Sequence, residues 1–232
     1  MSNNQPIIHK SMKELCDELE QERWIQSPEV RRAMMKVDRA DFASTNPYQN
    51  FPQPIPCNVV ISAPLLHAYC LEAMKNHLTE GSTVLDVGFG SGYLTVAMSK
   101  MMNDKGCVVG VEHMKELYDL GTKNICKHHK DLLDNKKIEL YCGEGRTYFK
   151  NKAPFKCIHV GAAAIEAPKE FLDQLEVGGR LVMPLGTKDN YNSNQFIYFK
   201  DKLPNGKFNY TQGLSVRYVD LTTVEKQELG YV

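Results

Sequence analysis

The stretch TVLDVGFGSGYLTVAMS, residues 83–99, decides the fold. Thr83 to Val87 is a short apolar run of strand length, a glycine-rich turn interrupts it, and from Tyr93 the apolar residues return at helical spacing. Gly88, Gly90 and Gly92 let the backbone turn tightly and let a ligand approach amides at a helix N-terminus. The spacing selects the ligand. A dinucleotide fingerprint needs a glycine three residues after Gly90, where this chain has Tyr93, and the pattern is instead D-x-G-x-G-x-G. Asp86, two residues before the first glycine, would repel a pyrophosphate and suits a cationic or hydroxylated ligand. The next strand ends at Glu112, where an α/β nucleotide fold sets an acid on the ribose hydroxyls. An adenosyl ligand without phosphates satisfies both acids.

Around this unit the alternation continues. LLHAYCLEAMKNHL reads as a helix before it. GCVVGVEH, KIELYCGE, FKCIHVGAA and RLVMPLG read as strands, with helices over about 114–131 and at PKEFLDQL between them. Strands apolar nearly throughout and separated by helices form a parallel sheet covered on both faces. The C-terminal NQFIYFKDKLPNGKFNYTQGLSVRYVDL has two alternating runs about Pro204-Asn205-Gly206, a hairpin, which gives an antiparallel edge. Before the core, residues 11–43 imply two short helices, with Ser27 as N-cap and Pro28 as first helical residue of the second. The proline-rich 46–64 admits neither regular helix nor central strand and reads as an ordered functional loop.

Composition sets the outer bounds. At 232 residues and 42% hydrophobic side chains, one domain over 1–232 is expected: helices and a substrate and cofactor loop to 64, a βα core over 65–187, and a hairpin with cap over 188–232. Lys plus Arg equal Asp plus Glu at 28 each, so no overall field draws the chain to nucleic acid or an anionic membrane. With no signal-like apolar segment and no run of membrane-spanning length, a cytoplasmic protein without membrane association is expected. A monomer is expected because no sustained heptad pattern appears. The seven cysteines are scattered and read as buried reduced thiols, and His128-His129 as part of a solvated helix face rather than a metal site.

The glycine triplet together with Asp86, Glu112 and the next strand-end acid Glu144 resembles the seven-stranded, Rossmann-like class I S-adenosylmethionine methyltransferases. The resemblance implies an α/β fold, with Asp86 serving the methionine end of the cofactor, Glu112 the ribose and Glu144 lying near the adenine, and with His113 and Gly145 also among the cofactor-binding residues. Ser91 would add a hydroxyl or amide contact. The acceptor must be read elsewhere. The position of an Asn/Asp-Pro-Pro-aromatic tetrad holds HVGAAAIEAP, which disfavours nucleic-acid amines, and Pro56-Cys57 lies too early to be a base methyltransferase nucleophile, leaving Cys57 incidental.

NPYQNFPQPIPCNVVISAPLLHA, FKCIHVGAAAIEAPKEFLDQLEVGGRLVMPLG and VRYVDLTTVEKQ, in this order, resemble the protein-L-isoaspartate (D-aspartate) O-methyltransferase family over about residues 11–227. Departures are Phe89 in place of a small residue, Glu112 and Glu144 where aspartate is commoner, and a longer TKDNYNSN before the hairpin. The resemblance implies S-adenosylmethionine as methyl donor, S-adenosylhomocysteine as product, no metal, and isoaspartyl proteins and peptides as substrates. It points to Ser62 as the active-site serine, orienting the acceptor carboxylate. Val59, Val60 and Ile61 line the cleft in this reading, His67 is a cofactor-side residue, and Thr222 and Gln227 close over the cofactor. Thr222 could equally cap the helix that follows it. The small residues after His159, Ala162 among them, would admit an extended acceptor backbone or serve packing alone. Two rivals stand beside this reading: a methyltransferase acting on another carboxylate, small molecule or RNA, and a silent S-adenosylmethionine-binding adaptor. Turnover on peptide acceptors separates them.

Overall fold

The computed structural model describes residues 9–146, 151–186, 195–224 and 227. The insertion TKDNYNSN, and part of the helix expected after Thr222, lie outside the described residues. Two N-terminal helices, α1 (Met12–Gln21) and α2 (Pro28–Met35), are followed by a 3-10 turn at Arg39–Asp41 and a small antiparallel ribbon of β1 (Gln53–Ile55) and β2 (Val59–Ile61). The βα series is α3 (Pro64–Met74), β3 (Thr83–Val87), α4 (Tyr93–Met101), β4 (Cys107–Glu112), α5 (Lys115–His128), α6 (Lys130–Asp134), β5 (Ile138–Cys142), β6 (Phe155–Val160), α7 (Lys169–Gln174) and β7 (Leu175–Gly186). The hairpin of β8 (Gln195–Lys202) and β9 (Phe208–Val216) ends the sheet.

The seven-stranded sheet has the order β5-β4-β3-β6-β7-β8-β9, with β8 antiparallel to both of its neighbours. Because β3 leads outward to β4 and β5 while β6 returns to its other side, the chain direction reverses between β3 and β6, and the crevice over their carboxyl ends is where such sheets take ligands. Side chains alternate between two cores. Val84 and Cys157 face one that takes residues from α1 to α6, whereas Leu85, Val87, Ile158 and Val160 face one closed by Phe171 of α7. Leu15, Leu19, Val30 and Met34 have no exposed surface, so α1 and α2 are part of the first core, each such side chain contributing roughly 1.5–3 kcal/mol of burial.

The structure revises several expectations. The proline-rich loop forms the β1/β2 ribbon, which tolerates Pro54 because a two-stranded ribbon has free edges. The helix expected over 114–131 breaks at His129, whose φ of −134° is not helical. His129 is buried, and only His128 faces solvent, against Asp41. Ser27 occupies the N-cap position of α2 but makes no cap bond. Its amide and hydroxyl both turn to Glu72 of α3. All seven cysteines are free thiols, yet Cys16, Cys70 and Cys157 alone are fully buried, and Cys126 and Cys142 are exposed. Finally, β7 begins five residues before Arg180, because a bulge opposite Phe155 and Cys157 absorbs Gly178 and Gly179.

Candidate active site

The three glycines adopt left-handed backbone at φ +75°, +51° and +87°, but they do different work. Gly88 and Gly90 line a cleft of about 490 Å³ at the carboxyl ends of β3, β4 and β6. Gly92 does not. A Cβ there would lie 3.1 Å from the Ile125 side chain and 3.2 Å from the Gly121 carbonyl, so the third glycine seats α4 against α5.

Glu112, 5% exposed, faces this cleft from the end of β4 and accepts the amides of Gly90 (3.0 Å) and Met114 (3.1 Å). Burial pushes its carboxyl above the usual range, partly offset by those two amides. Glu144 and Gly145 line the same wall. Glu144 is gripped by the fork of Arg146, at 2.8 and 3.1 Å, and those hydrogen bonds hold its carboxyl low. His113 joins the lining, and its Nε2 meets Gln227 Oε1 at 2.5 Å, while Gln227 Nε2 reaches the Cys57 carbonyl at 3.5 Å. Gln227 thus ties the end of β4 to the tip of the β1/β2 ribbon. Cys57 does not line the cleft, and its Sγ lies 3.5 Å from Glu116 Oε2. Thr222, 9% exposed, covers the cleft from a segment stitched to the end of β6 by Leu221 N to Ala163 O (2.6 Å) and Ala163 N to Val219 O (2.8 Å).

A smaller inner cavity of about 60 Å³ lies behind the glycine turn. Asp86, His159, His67, Ser91 and Ile61 line it, and Val60 and Ser62 border both cavities, with Val59 in the outer one. Asp86 is 1% exposed and accepts from Thr95 Oγ1 (2.7 Å) and from His159 Nδ1 (2.8 Å). Burial alone would lower His159, but the bond to Asp86, with a smaller part from Cys70, raises it to about 10, so the His159 ring keeps its proton at neutral pH. Asp86 and His159 are register partners on β3 and β6, which is how the sheet sets them side by side.

Ser62 is anchored through its backbone and lies beside a clamped tyrosine. Arg39 Nη2 donates to its carbonyl at 2.7 Å, and Tyr218, which borders both cavities together with Ser62, is clamped through its backbone by Gln195 at 2.6 and 3.1 Å. Ala162 and Gly161 form the facing wall. The residue-level reading missed His159 as the partner of Asp86, and it missed Arg39, Gln195 and Tyr218. A histidine closing an apolar strand was the one signal available. The donor set fits an adenosyl sulfonium: carboxylates face the cleft, and the glycine turn carries no basic side chain for a pyrophosphate.

The model of the family described as protein-L-isoaspartate (D-aspartate) O-methyltransferase matches residues 10–226. A protein-L-isoaspartate O-methyltransferase of Caenorhabditis elegans is 44% identical over 214 residues, covering 92% of this chain and 93% of its own. Protein-L-isoaspartate O-methyltransferase 1 of Arabidopsis thaliana is 40% identical, with 94% of each chain covered. Among solved structures, a Plasmodium falciparum chain assigned to protein-L-isoaspartate O-methyltransferase, in complex with S-adenosyl-L-homocysteine, superposes with a TM-score of 0.84 at 31% identity, over 92% of this chain and 99% of that one.

Proposed function

The chain belongs to the protein-L-isoaspartate (D-aspartate) O-methyltransferase family, and from that membership we propose how its cleft performs the family's reaction. The enzyme transfers a methyl group from S-adenosylmethionine to the free carboxylate of L-isoaspartyl and D-aspartyl residues in damaged proteins and peptides, which begins their repair. The bound cofactor supplies an electrophilic sulfonium methyl and leaves as a neutral thioether. What remains for the protein is binding and placement.

Asp86 and Ser91 receive the methionine end, Glu112 and His113 the ribose, and Glu144 with Gly145 the adenine side. Thr222 and Gln227 close over them. The supporting observation is the convergence of a buried Asp86–His159 pair, an inward-facing Glu112 and an Arg39-anchored Ser62 on one switch-point crevice. An isoaspartyl α-carboxylate has a pKa of roughly 3.5 and is already ionised at neutral pH, so no general base is needed. Ser62 orients that carboxylate, and the cleft excludes water, a positioning effect worth up to about 7–11 kcal/mol. Val60 and Ala162 border the acceptor groove, whose narrow walls favour the extended isoaspartyl backbone over aspartate. We further propose a single domain acting as a cytoplasmic monomer on protein rather than nucleic acid, in line with the balanced charge. No helix among the described residues is long and apolar enough to cross a membrane.

The direct test offers labelled S-adenosylmethionine to two peptides that differ only in an isoaspartyl or aspartyl linkage. Base-labile label on the isoaspartyl peptide alone is expected. Label on neither, with cofactor bound, would move the acceptor to another class. A second expectation concerns Glu112→Gln. The amide turns a donor toward one of the two N–H groups that Glu112 now accepts and weakens the ribose contact, so S-adenosylhomocysteine affinity should fall at least about tenfold by calorimetry. Unchanged affinity would remove Glu112 from the binding set.

A further inference from the structure

Arg39 is fully buried, and no carboxylate among the described residues forms an ion pair with it. A guanidinium without a counter-ion in a core is costly, several kcal/mol of desolvation, and such charges are normally paired. Its surroundings are specific instead. Nη2 donates to the Ser62 carbonyl (2.7 Å), Nη1 lies 3.1 Å from His67 Nδ1, the guanidinium carbon sits 5.3 Å from the Tyr93 ring centroid, and Nε has no hydrogen-bond partner among the described residues.

Arginine donates hydrogen bonds and cannot accept them, so His67 Nδ1 must be the acceptor. Burial, then Arg39, then His159 push the His67 pKa well below the ordinary value, so the ring is neutral. A neutral ring with Nδ1 as acceptor carries its proton on Nε2, and that N–H is the remaining polar group of a side chain lining the inner cavity. The same cavity holds Asp86, whose charge is already matched by His159. Arg39, one layer behind His67 and Ser62, is the unmatched positive charge next to it.

We propose that Arg39 is a positioning residue for the amino-acid end of the cofactor: it fixes His67 as an Nε2–H donor, anchors the Ser62 backbone, and lends an unpaired positive charge that favours the cofactor's carboxylate in the inner cavity. This rests on the assignment of the inner cavity to the methionine end made above. In this arrangement the zwitterion is read by two groups, the ammonium by Asp86 and the carboxylate by His67 backed by Arg39.

The test compares two ligands on the full chain. S-adenosylhomocysteine carries the amino-acid end, and 5′-methylthioadenosine keeps the adenosyl thioether without it. Arg39→Met should reduce affinity for S-adenosylhomocysteine at least about tenfold while leaving 5′-methylthioadenosine within about twofold. Arg39→Lys, which keeps the charge but not the fork, should fall between. Both ligands weakening together would mean a purely structural arginine and overturn the proposal, as would no change in either. Failure of the unaltered protein to bind either ligand would instead sink the cofactor assignment itself. If Arg39→Met does not fold, nitrogen NMR of His67 in the unaltered protein still decides: an Nε2–H neutral ring from about pH 6 to 8 is expected, and an Nδ1–H tautomer or an imidazolium would overturn it.

Discussion

Asp86→Ala should abolish measurable S-adenosylhomocysteine binding and lower stability by roughly 3–5 kcal/mol, the cost of breaking a buried ion pair by removing one partner. Two groups lose their acceptor at once, the Thr95 hydroxyl and the His159 ring. His159 can shed its proton when Asp86 is gone, because burial is the largest influence on it and favours the neutral ring, so the loss should lie toward the lower end of that range. The sign of the pH dependence follows from the same pair. The folded pKa of about 10 lies above the ordinary histidine value of 6.5, so the contribution is complete below about 6.5 and is lost as pH rises toward 10. Denaturant midpoints of the unaltered protein and of Asp86→Asn/His159→Gln, which substitutes a neutral amide pair, should therefore converge across that window. The double variant should recover much of the lost stability without recovering ligand affinity, since the cofactor's ammonium still lacks its carboxylate. A double variant that binds normally would show that Asp86 serves the fold alone.

The sheet was legible because its strands are apolar runs cut by glycines: TVLDVG, GCVVGVEH and FKCIHVGAA were expected as strands and contain β3, β4 and β6. What escaped reading has local physical causes. The break at His129 has no glycine or proline to announce it, and the early start of β7 hides behind Gly178-Gly179, which reads as a turn but forms a bulge. In the site, the glycines and strand-end acids could be inferred from one βα unit and its neighbours, because backbone spacing alone brings them to one edge. Ser62, His67, Thr222 and Gln227 came from family resemblance, not from pattern. Arg39, Gln195 and Tyr218 came from neither. Each acts on a residue more than twenty positions away, and a contact of that kind leaves no periodicity in the chain.

Gly161→Ala should reduce cofactor affinity about a hundredfold, for a reason that backbone freedom does not supply. Gly161 is not among the glycines of positive φ, so alanine is conformationally acceptable there. Space is the obstacle. A Cβ would stand 2.9 Å from the Gly88 carbonyl oxygen and 3.4 Å from that of Val87, both backbone atoms at the root of the glycine turn. The Gly161 amide donates to that Val87 oxygen at 2.8 Å, so the end of β6 is pinned to the atoms the new methyl would strike. Either the hydrogen bond breaks or the turn moves, and the turn carries Gly88 and Gly90 of the cleft floor. Overpacking of this kind costs roughly 1–3 kcal/mol, which should appear as a lowered Tm. Gly178→Ala is the control: its φ is +78° and nothing among the described residues lies within 4 Å of a Cβ, so it strains the β7 bulge without approaching the cleft. It should lose some stability and keep its affinity for S-adenosylhomocysteine. If Gly161→Ala bound the cofactor as the unaltered protein does, β6 could slide away from the turn without moving the cleft floor, and contact between those two backbones would not be what shapes the site.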